Sequence, residues 1–352
     1  MTDTTIETIG CDLGDKTSEV CVLGVDGDKH RASVRTTRKA FALFFTRSRA
    51  HVVIEVGAHS RWVSTLLEEL GHWVTVANPR RVKVISQSDS KTDKHDADLL
   101  ARLGRVDVDL LAPVAHRSCE AQVDLAVPKA RDVLVAVRTK LVNHVRGTLK
   151  SVGEPLPKCS AESFARRTRA LIPATLKPAL EPIYEALDKI EEQIRQHDQT
   201  IERVAKRYPD VDAMTQINGV GVLTGLAYML TIEDKNRFSK SRMAGAFLGL
   251  RPRKNASGGN DPQLRITKAG DPFVRRLLVT AANYVLGPFG KDSDLRRWGL
   301  ELARRGGRNA KKRATVAVAR KLAVLMHRLW VTGEVYEPVG YQRQRSEPEA
   351  AA

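Results

Sequence analysis

The chain opens on short alternating and apolar stretches of the kind that form strands joined by turns. "ETIGCDLG" runs into an apolar strand, "EVCVLGVDG" gives a second strand ending in a turn, and "HRASVRT" gives a third. Linkers of four to six residues between them predict an antiparallel meander. "RKAFALFFTRSR" has helical periodicity, and "HVVIEVG" is a near-continuous apolar run typical of a strand covered on both faces. "SRWVSTLLEELG" is a helix stopped at Gly71, and "HWVTVANP" is a further strand.

The middle of the chain is helical. Ile183, Leu187, Ile190, Ile194, His197, Ile201, Val204 and Tyr208 are spaced 4-3-4-3-4-3-4, a heptad seam that predicts a coiled coil. "DVLVAVRTKLVNHVRGTLK" (132–150) is its expected partner helix, and His197 reads as a register or edge residue. From Met214 a third unit begins, in which Gly219 and Gly221 form a tight turn between two short helical patterns. Such a turn can offer backbone N–H groups to a phosphate. The spacing is not the dinucleotide fingerprint and follows no strand, which excludes a Rossmann reading. A basic loop, "RPRKNASGGNDPQLRITKAGDP", precedes two more helices, and the tail after Glu334 has a disordered composition.

Three strands, helix, strand, helix, strand, helix is the order of the ribonuclease-H-like fold. The expected architecture is therefore an α/β ribonuclease-H-like domain (1–110), a helical coiled-coil region (111–210), a mainly α domain (211–335) and a disordered tail (336–352). The chain has 352 residues, 42% of them apolar, enough for several domains with a real core. No apolar run approaches the ~20 residues of a membrane span, and "MTDTTIETIG" lacks the marks of a signal peptide. Four scattered cysteines with no C-x-x-C pair argue against a zinc site or disulfide framework and fit a reducing cytoplasm.

Charge changes the picture. Of the net +17, residues 235–330 contribute 23 Lys/Arg against 5 Asp/Glu, or +18. A block this basic is the footprint of a nucleic-acid surface. No amphipathic anchor precedes it, so a membrane surface is the weaker reading.

Against that background "DSKTDKHDAD" (89–98) places four aspartates in ten residues. Thr92 is a plausible N-cap, with Asp93 and Asp96 on one face of the first turn. Acids at a helix start are favoured by ~0.3–1 kcal/mol, so two readings stay open: a solvated helix start, or half of a metal site. Asp12 lies in the first strand and Glu55 near the end of the buried run, flanked by Val53, Ile54 and Val56. A carboxylate there is costly without a cation. In the ribonuclease-H order Asp12, Glu55, Asp93 and Asp96 converge at one sheet edge, a set suited to hard divalent ions. Asp15, Asp89 and Asp98 read as surface acids, and His95 as a solvent-facing helix residue.

"IGCDLGDKTSEVCVL", "VVIEVGAHSRWVSTLLEELGHWVTVANPRRVK" and "SKTDKHDADLLARL" resemble the N-terminal half of the DEDD transposases of bacterial insertion sequences, family one-ten with its eleven-eleven subgroup. "INGVGVLTGLAYMLTIEDKNRFSKSRMAGAFLGLRPRKNASGGNDPQLRITKAGDPFVRRLLV" resembles the family's C-terminal domain. The resemblance implies a RuvC-like domain whose Asp12, Glu55, Asp93 and Asp96 bind Mg²⁺, as two ions, with Mn²⁺ as a substitute. It also implies that Ser257 attacks DNA and forms a phosphoserine link. Implied partners are double-stranded donor and target DNA and a structured bridge RNA. The protein would act as a homo-oligomer, dimer or tetramer, with the acids of one protomer meeting the serine of another. The expected location is the bacterial cytoplasm, at the nucleoid.

The residues around Ser257 fit an anion. Gly258 and Gly259 permit close backbone approach, and Arg251, Arg253, Lys254, Arg265 and Lys268 supply positive charge, with Arg275 and Arg276 following. A neutral serine needs activation, and no histidine is near in sequence. Three rivals remain: a RuvC-like junction nuclease using water, an actin-like ATPase, and a binding protein without activity. The ATPase reading lacks a second phosphate loop.

Overall fold

The computed structural model describes residues 6–85, 92–262 and 264–340. Asp89 and most of the expected tail (341–352) lie outside the described residues. The chain divides into two compact units, 1–116 and 117–352.

In the first unit the N-terminal alternation produces five strands: β1 (Thr8–Asp12), β2 (Thr17–Leu23), β3 (Lys29–Arg35), β4 (His51–Glu55) and β5 (Trp73–Ala77). They form one sheet in the order β3-β2-β1-β4-β5. β1, β2 and β3 make the expected antiparallel meander, and β4 and β5 add in parallel beside β1. Parallel neighbours need crossovers, supplied by α1 (Arg38–Phe45) and α2 (Ser60–Glu69). Phe41, Phe45, Val63 and Leu67 of these helices pack on Ile9, Cys11, Val52 and Ile54 of one sheet face.

The other face is covered after α3 (Pro79–Ile85) by α4 (Asp93–Val106). The contact is made by small residues. A Cβ added at Gly10 would stand 2.1 Å from the Ala97 carbonyl oxygen and 2.4 Å from the Ala101 nitrogen. Further along the helix, Gly104 lies on Val53, His51 and Thr8, and Arg105 donates to the Leu23 and Gly24 carbonyls. Rising helix numbers thus meet falling β1 numbers, so α4 runs antiparallel to β1.

The second unit is helical: α5 (Cys119–Ser151), α6 (Phe164–Thr168), α7 (Lys177–Ala205), α8 (Val211–Thr215) and α9 (Val222–Ile232), then α10 (Arg242–Phe247), α11 (Pro272–Leu286), α12 (Asp294–Arg304) and α13 (Ala310–Thr332). α9 is apolar all round and accordingly buried, with Tyr228 donating to the Ala323 carbonyl of α13 at 2.6 Å. The seam helix α7 pairs with α5, as expected. Ion pairs Arg131–Asp198 and Arg138–Glu191, with Asp124–Arg207 just past the end of α7, run in opposite senses along the two helices, which are therefore antiparallel. α5 begins earlier than the expected partner segment and passes through Pro128. Proline inside a helix removes one backbone bond; here contacts to α7 on either side of Pro128 hold the helix together.

One expectation is corrected. Within the described part of the segment assigned to a disordered tail, 336–340, Tyr336 and Pro338 are tied to the second unit. Tyr336 is buried, its N–H donates to Gln216 Oε1 at 2.8 Å, and the Pro338 carbonyl accepts from Asp294 N at 2.8 Å.

Two outcomes follow. Gly10→Ala must push α4 off β1 and should cost about 1–3 kcal/mol, read by urea unfolding, with faster hydrogen exchange in α4. His51 is buried, stacks on Trp73 and shares a hydrogen bond with Thr75 Oγ1 at 2.8 Å; burial lowers its pKa to about 4. The unfolded imidazole titrates near 6.5 and binds more protons between these values. Stability is therefore full above about pH 6.5 and falls toward pH 4, by on the order of 2 kcal/mol. His51→Phe should flatten that limb in thermal melts.

Candidate active site

β1 and β4 end side by side. Their register pairs Cys11 with Ile54, so Asp12 and Glu55 follow as neighbours at the C-terminal ends of adjacent strands, Asp12 being the last residue of β1. Asp12 also pairs with Glu19 across the antiparallel ladder. By alternation these three carboxylates share the face of Gly10, Cys21 and Val53, the face that α4 covers. α4 runs antiparallel to β1, so its first turn, carrying Asp93 and Asp96, points toward the same edge. Thr92 caps that turn, its Oγ1 accepting from His95 N at 3.3 Å, and His95 is exposed as expected.

Like charges opposite one another in a ladder are destabilising. Glu19, Asp12 and Glu55 stand abreast, and the first turn of α4 points toward that edge. Its all-carboxylate donors fit a hard divalent ion. Among the described residues, however, no three His, Cys, Asp or Glu are close enough to hold a metal ion. Glu19 escaped the sequence reading; only the ladder register, Asp12 with Glu19, would have found it.

Asp98 is a correction. Read as a surface acid, it is buried, 6% exposed, and ion-paired to Lys29 and Arg31 of β3. The cause is α4's orientation: Ala97 and Ala101 lie on the sheet, which turns Asp98 beside them toward the meander. Burial raises its pKa, but hydrogen bonds from Arg31, Lys29 and Cys21 more than offset this, and the carboxyl is held well below the usual carboxylate range. Asp15 is fully exposed beside His59, as expected of a surface acid. The four cysteines are free, and burial, followed by the Asp98 hydrogen bond and charge, pushes Cys21 up to about 11.

In the second unit the basic loop is a two-legged ribbon. Pro252 bridges Ile266, Arg253 N donates to the Arg265 carbonyl at 3.0 Å, and Thr267 N to the Arg251 carbonyl at 2.9 Å. At the tip Ser257 and Asn260 exchange backbone bonds of 3.2 and 3.0 Å around Gly258 and Gly259, whose φ values are +55° and +82°. Two successive positive φ values make the tight hairpin turn that glycine favours. Ser257 is exposed, and among the described residues nothing hydrogen-bonds its hydroxyl. An added Cβ at either glycine would meet nothing within 4 Å, so the backbone there is open to a ligand.

Arg251, Arg253, Lys254, Arg265 and Lys268 are all exposed along the legs. Arg275 and Arg276 are placed differently. Arg275 donates to the Leu248 and Ala269 carbonyls at 3.1 and 2.8 Å, bracing the ribbon's base, and Arg276 pairs with Asp132. Asp271 caps α11 through Phe273 N at 2.8 Å and takes ion pairs from Arg117 and Lys129. "GDP" was the available signal for that cap. Gly219 lies against Tyr284 and Ala281 of α11, which gives it a packing reason, while Gly221 caps α9 in open space.

A family model described as "Transposase", of the DEDD type of the IS110 group, matches residues 9–153, and one described as "Transposase IS116/IS110/IS902 family" matches residues 211–293. The transposase for insertion sequence element IS1111A of Coxiella burnetii is 31% identical over 295 residues, covering 81% of this chain and 79% of its own. The chain belongs to the IS110 family of DEDD transposases. A probable family 20 transposase of Pseudomonas aeruginosa is 28% identical over 340 residues, covering 94% and 98%. The transposase for insertion sequence element IS1328 of Yersinia enterocolitica is 28% identical over 241 residues, covering 66% and 69%. The protein is thus a DNA transposase, and its substrate is DNA. DEDD transposase domains in general use a divalent metal. No described helix of the transposase is long and apolar enough to cross a membrane.

Replacing Asp98 by Ala in the transposase removes the tie between α4 and β3 and leaves Lys29 and Arg31 unmatched. The expected loss is about 2 kcal/mol in urea unfolding, with hydrogen exchange rising in α4 but not in α13.

Proposed function

We propose that the transposase cuts and rejoins DNA through a covalent link to Ser257, with the strand chosen by a structured bridge RNA. The observation that carries this reading is the exposed, unengaged Ser257 hydroxyl on an open two-glycine turn, between legs that bear five exposed cations. Ser257 Oγ attacks the phosphorus, a new P–O bond forms, and the bond to the leaving deoxyribose oxygen breaks. The serine proton passes through solvent to that oxygen. A hydroxyl of the incoming strand then displaces the serine, which recovers its proton. Arg251, Arg253, Lys254, Arg265 and Lys268 hold the phosphate backbone, so affinity falls with salt. Gly219 and Gly221 offer N–H groups to a further phosphate.

Asp12, Glu55, Asp93 and Asp96 would hold Mg²⁺, as two ions, or Mn²⁺ in its place. Bound there, the ions would stabilise charge on the attacking and leaving oxygens. The meander with two parallel strands beside β1 supports a ribonuclease-H-like, RuvC-like reading of the first unit. The α5–α7 pair is read as a coiled-coil connector, and the helices after it as the transposase domain. Implied partners are donor and target duplexes, the bridge RNA and further copies, as a dimer or tetramer. The setting is the cytoplasm, at the nucleoid.

Incubating the purified protein with its copurifying RNA and donor DNA should give a denaturation-resistant DNA adduct at Ser257. Ser257→Ala should abolish the adduct and strand joining, and Asp12→Asn should abolish cleavage with DNA binding retained. Undiminished joining by Ser257→Ala would replace the serine mechanism with water-driven cleavage.

A further inference from the structure

The second unit contains a groove of about 1260 Å³ alongside α13, larger than the roughly 300–1,000 Å³ of ordinary small-molecule sites. One wall is α12, through Leu295, Trp298 and Leu302 at helical spacing, with Arg305 just past its end. The opposite wall is the base of the Ser257 ribbon, through Leu250, Pro252, Leu264 and Ile266. α13 supplies the floor: Ala317, Val324 and Leu325 lie between Arg313, Arg320 and Arg328 on one helix face.

The rim is strongly and unequally charged. Lys240, Arg242, Arg305, Arg320 and Lys321 make no ion pair among the described residues, whereas Arg328 is matched by Glu334. Asp294 is the acid in the lining. Lys321 is half-buried, its Nζ 3.8 Å above the Trp298 ring, and burial lowers its pKa. Five unmatched cations around an apolar trough repel one another until an anion with an apolar body lies among them.

A DNA duplex offers such a trough its sugar–phosphate backbone and the edges of its bases, but the flat base faces are stacked inside. An unpaired strand presents flat base faces together with phosphates. A 2′-hydroxyl would find few polar partners on this floor. We propose that the groove holds unpaired single-stranded DNA, with bases on the apolar floor and phosphates on the cationic rim, next to the ribbon that carries Ser257. The link to strand exchange rests on the proposed function; the binding itself rests on the groove.

The test is fluorescence anisotropy of the full-length protein with three probes of roughly 12 nucleotides: single-stranded oligo-dT, a duplex and oligo-U RNA. Arg320→Gln with Lys321→Gln should weaken oligo-dT binding about tenfold or more and duplex binding less than about threefold. Arg320→Lys with Lys321→Arg should restore oligo-dT binding, which separates charge from folding. Ser257→Ala should bind oligo-dT as the parent does, so failure of the serine mechanism is distinguishable from failure of the groove. Equal losses on duplex and single strand would overturn the proposal, as would tighter binding of RNA. So would unchanged oligo-dT binding together with a smaller oligomer by light scattering, which would seat a second copy in the groove.

Discussion

The first unit depends on one close contact, the backbone of α4 lying on Gly10 of β1. With only hydrogen there, the Ala97 carbonyl and Ala101 amide come down onto the strand. That approach fixes the depth of the helix, and the antiparallel sense fixes its ends. Arg105 is brought to the β2 turn at one end, and Asp93 and Asp96 to the carboxylate edge at the other. The Asp98 pair with Lys29 and Arg31 fixes the remaining freedom, rotation about the helix axis. Residues that carry no chemistry thus determine where the acids stand.

The strands and helices of this unit were legible because a half-buried sheet and its covering helices impose strong periodicity. Thr92 was legible as a cap for the same local reason. Asp98 and Glu19 were not. Whether an acid faces water or a partner depends on how a helix is rolled on its sheet and on which residue stands opposite in a ladder, and both are non-local. The seam of α7 was visible, but the length of α5 was not, since its passage through Pro128 is secured by residues of another helix. The ordered Tyr336 was hidden by the polar composition around it, although one aromatic ring is enough to bind a terminal segment to a core.

The second unit separates two uses of arginine that look identical in sequence. Arg275 and Arg276 sit within the same basic run as the ribbon, yet they bond carbonyls and a carboxylate of their own chain. Arg251, Arg253, Lys254 and Arg265 of the ribbon and Lys240, Arg242, Arg305, Arg320 and Lys321 of the groove make no ion pair among the described residues. Charge counting alone cannot separate these two uses of arginine, because the difference between them is set by burial and by the partners each side chain meets.

The ribbon leaves Ser257 with almost no side-chain constraint. Its base is clamped where Gly249 and Gly270, each at φ +72°, cross the backbone at carbonyls of Ala269 and Phe247, and its tip is a two-glycine turn in open space. Between these points the orientation of the hydroxyl is set by chain length alone, because neighbouring positions in an extended leg face opposite ways. Adding one small uncharged residue to the leg between Arg253 and Ser257 would turn the serine toward the ribbon's other side while leaving the clamped base and the existing charges in place. On the proposed serine mechanism, such a copy would keep its fold and yet fail to join strands.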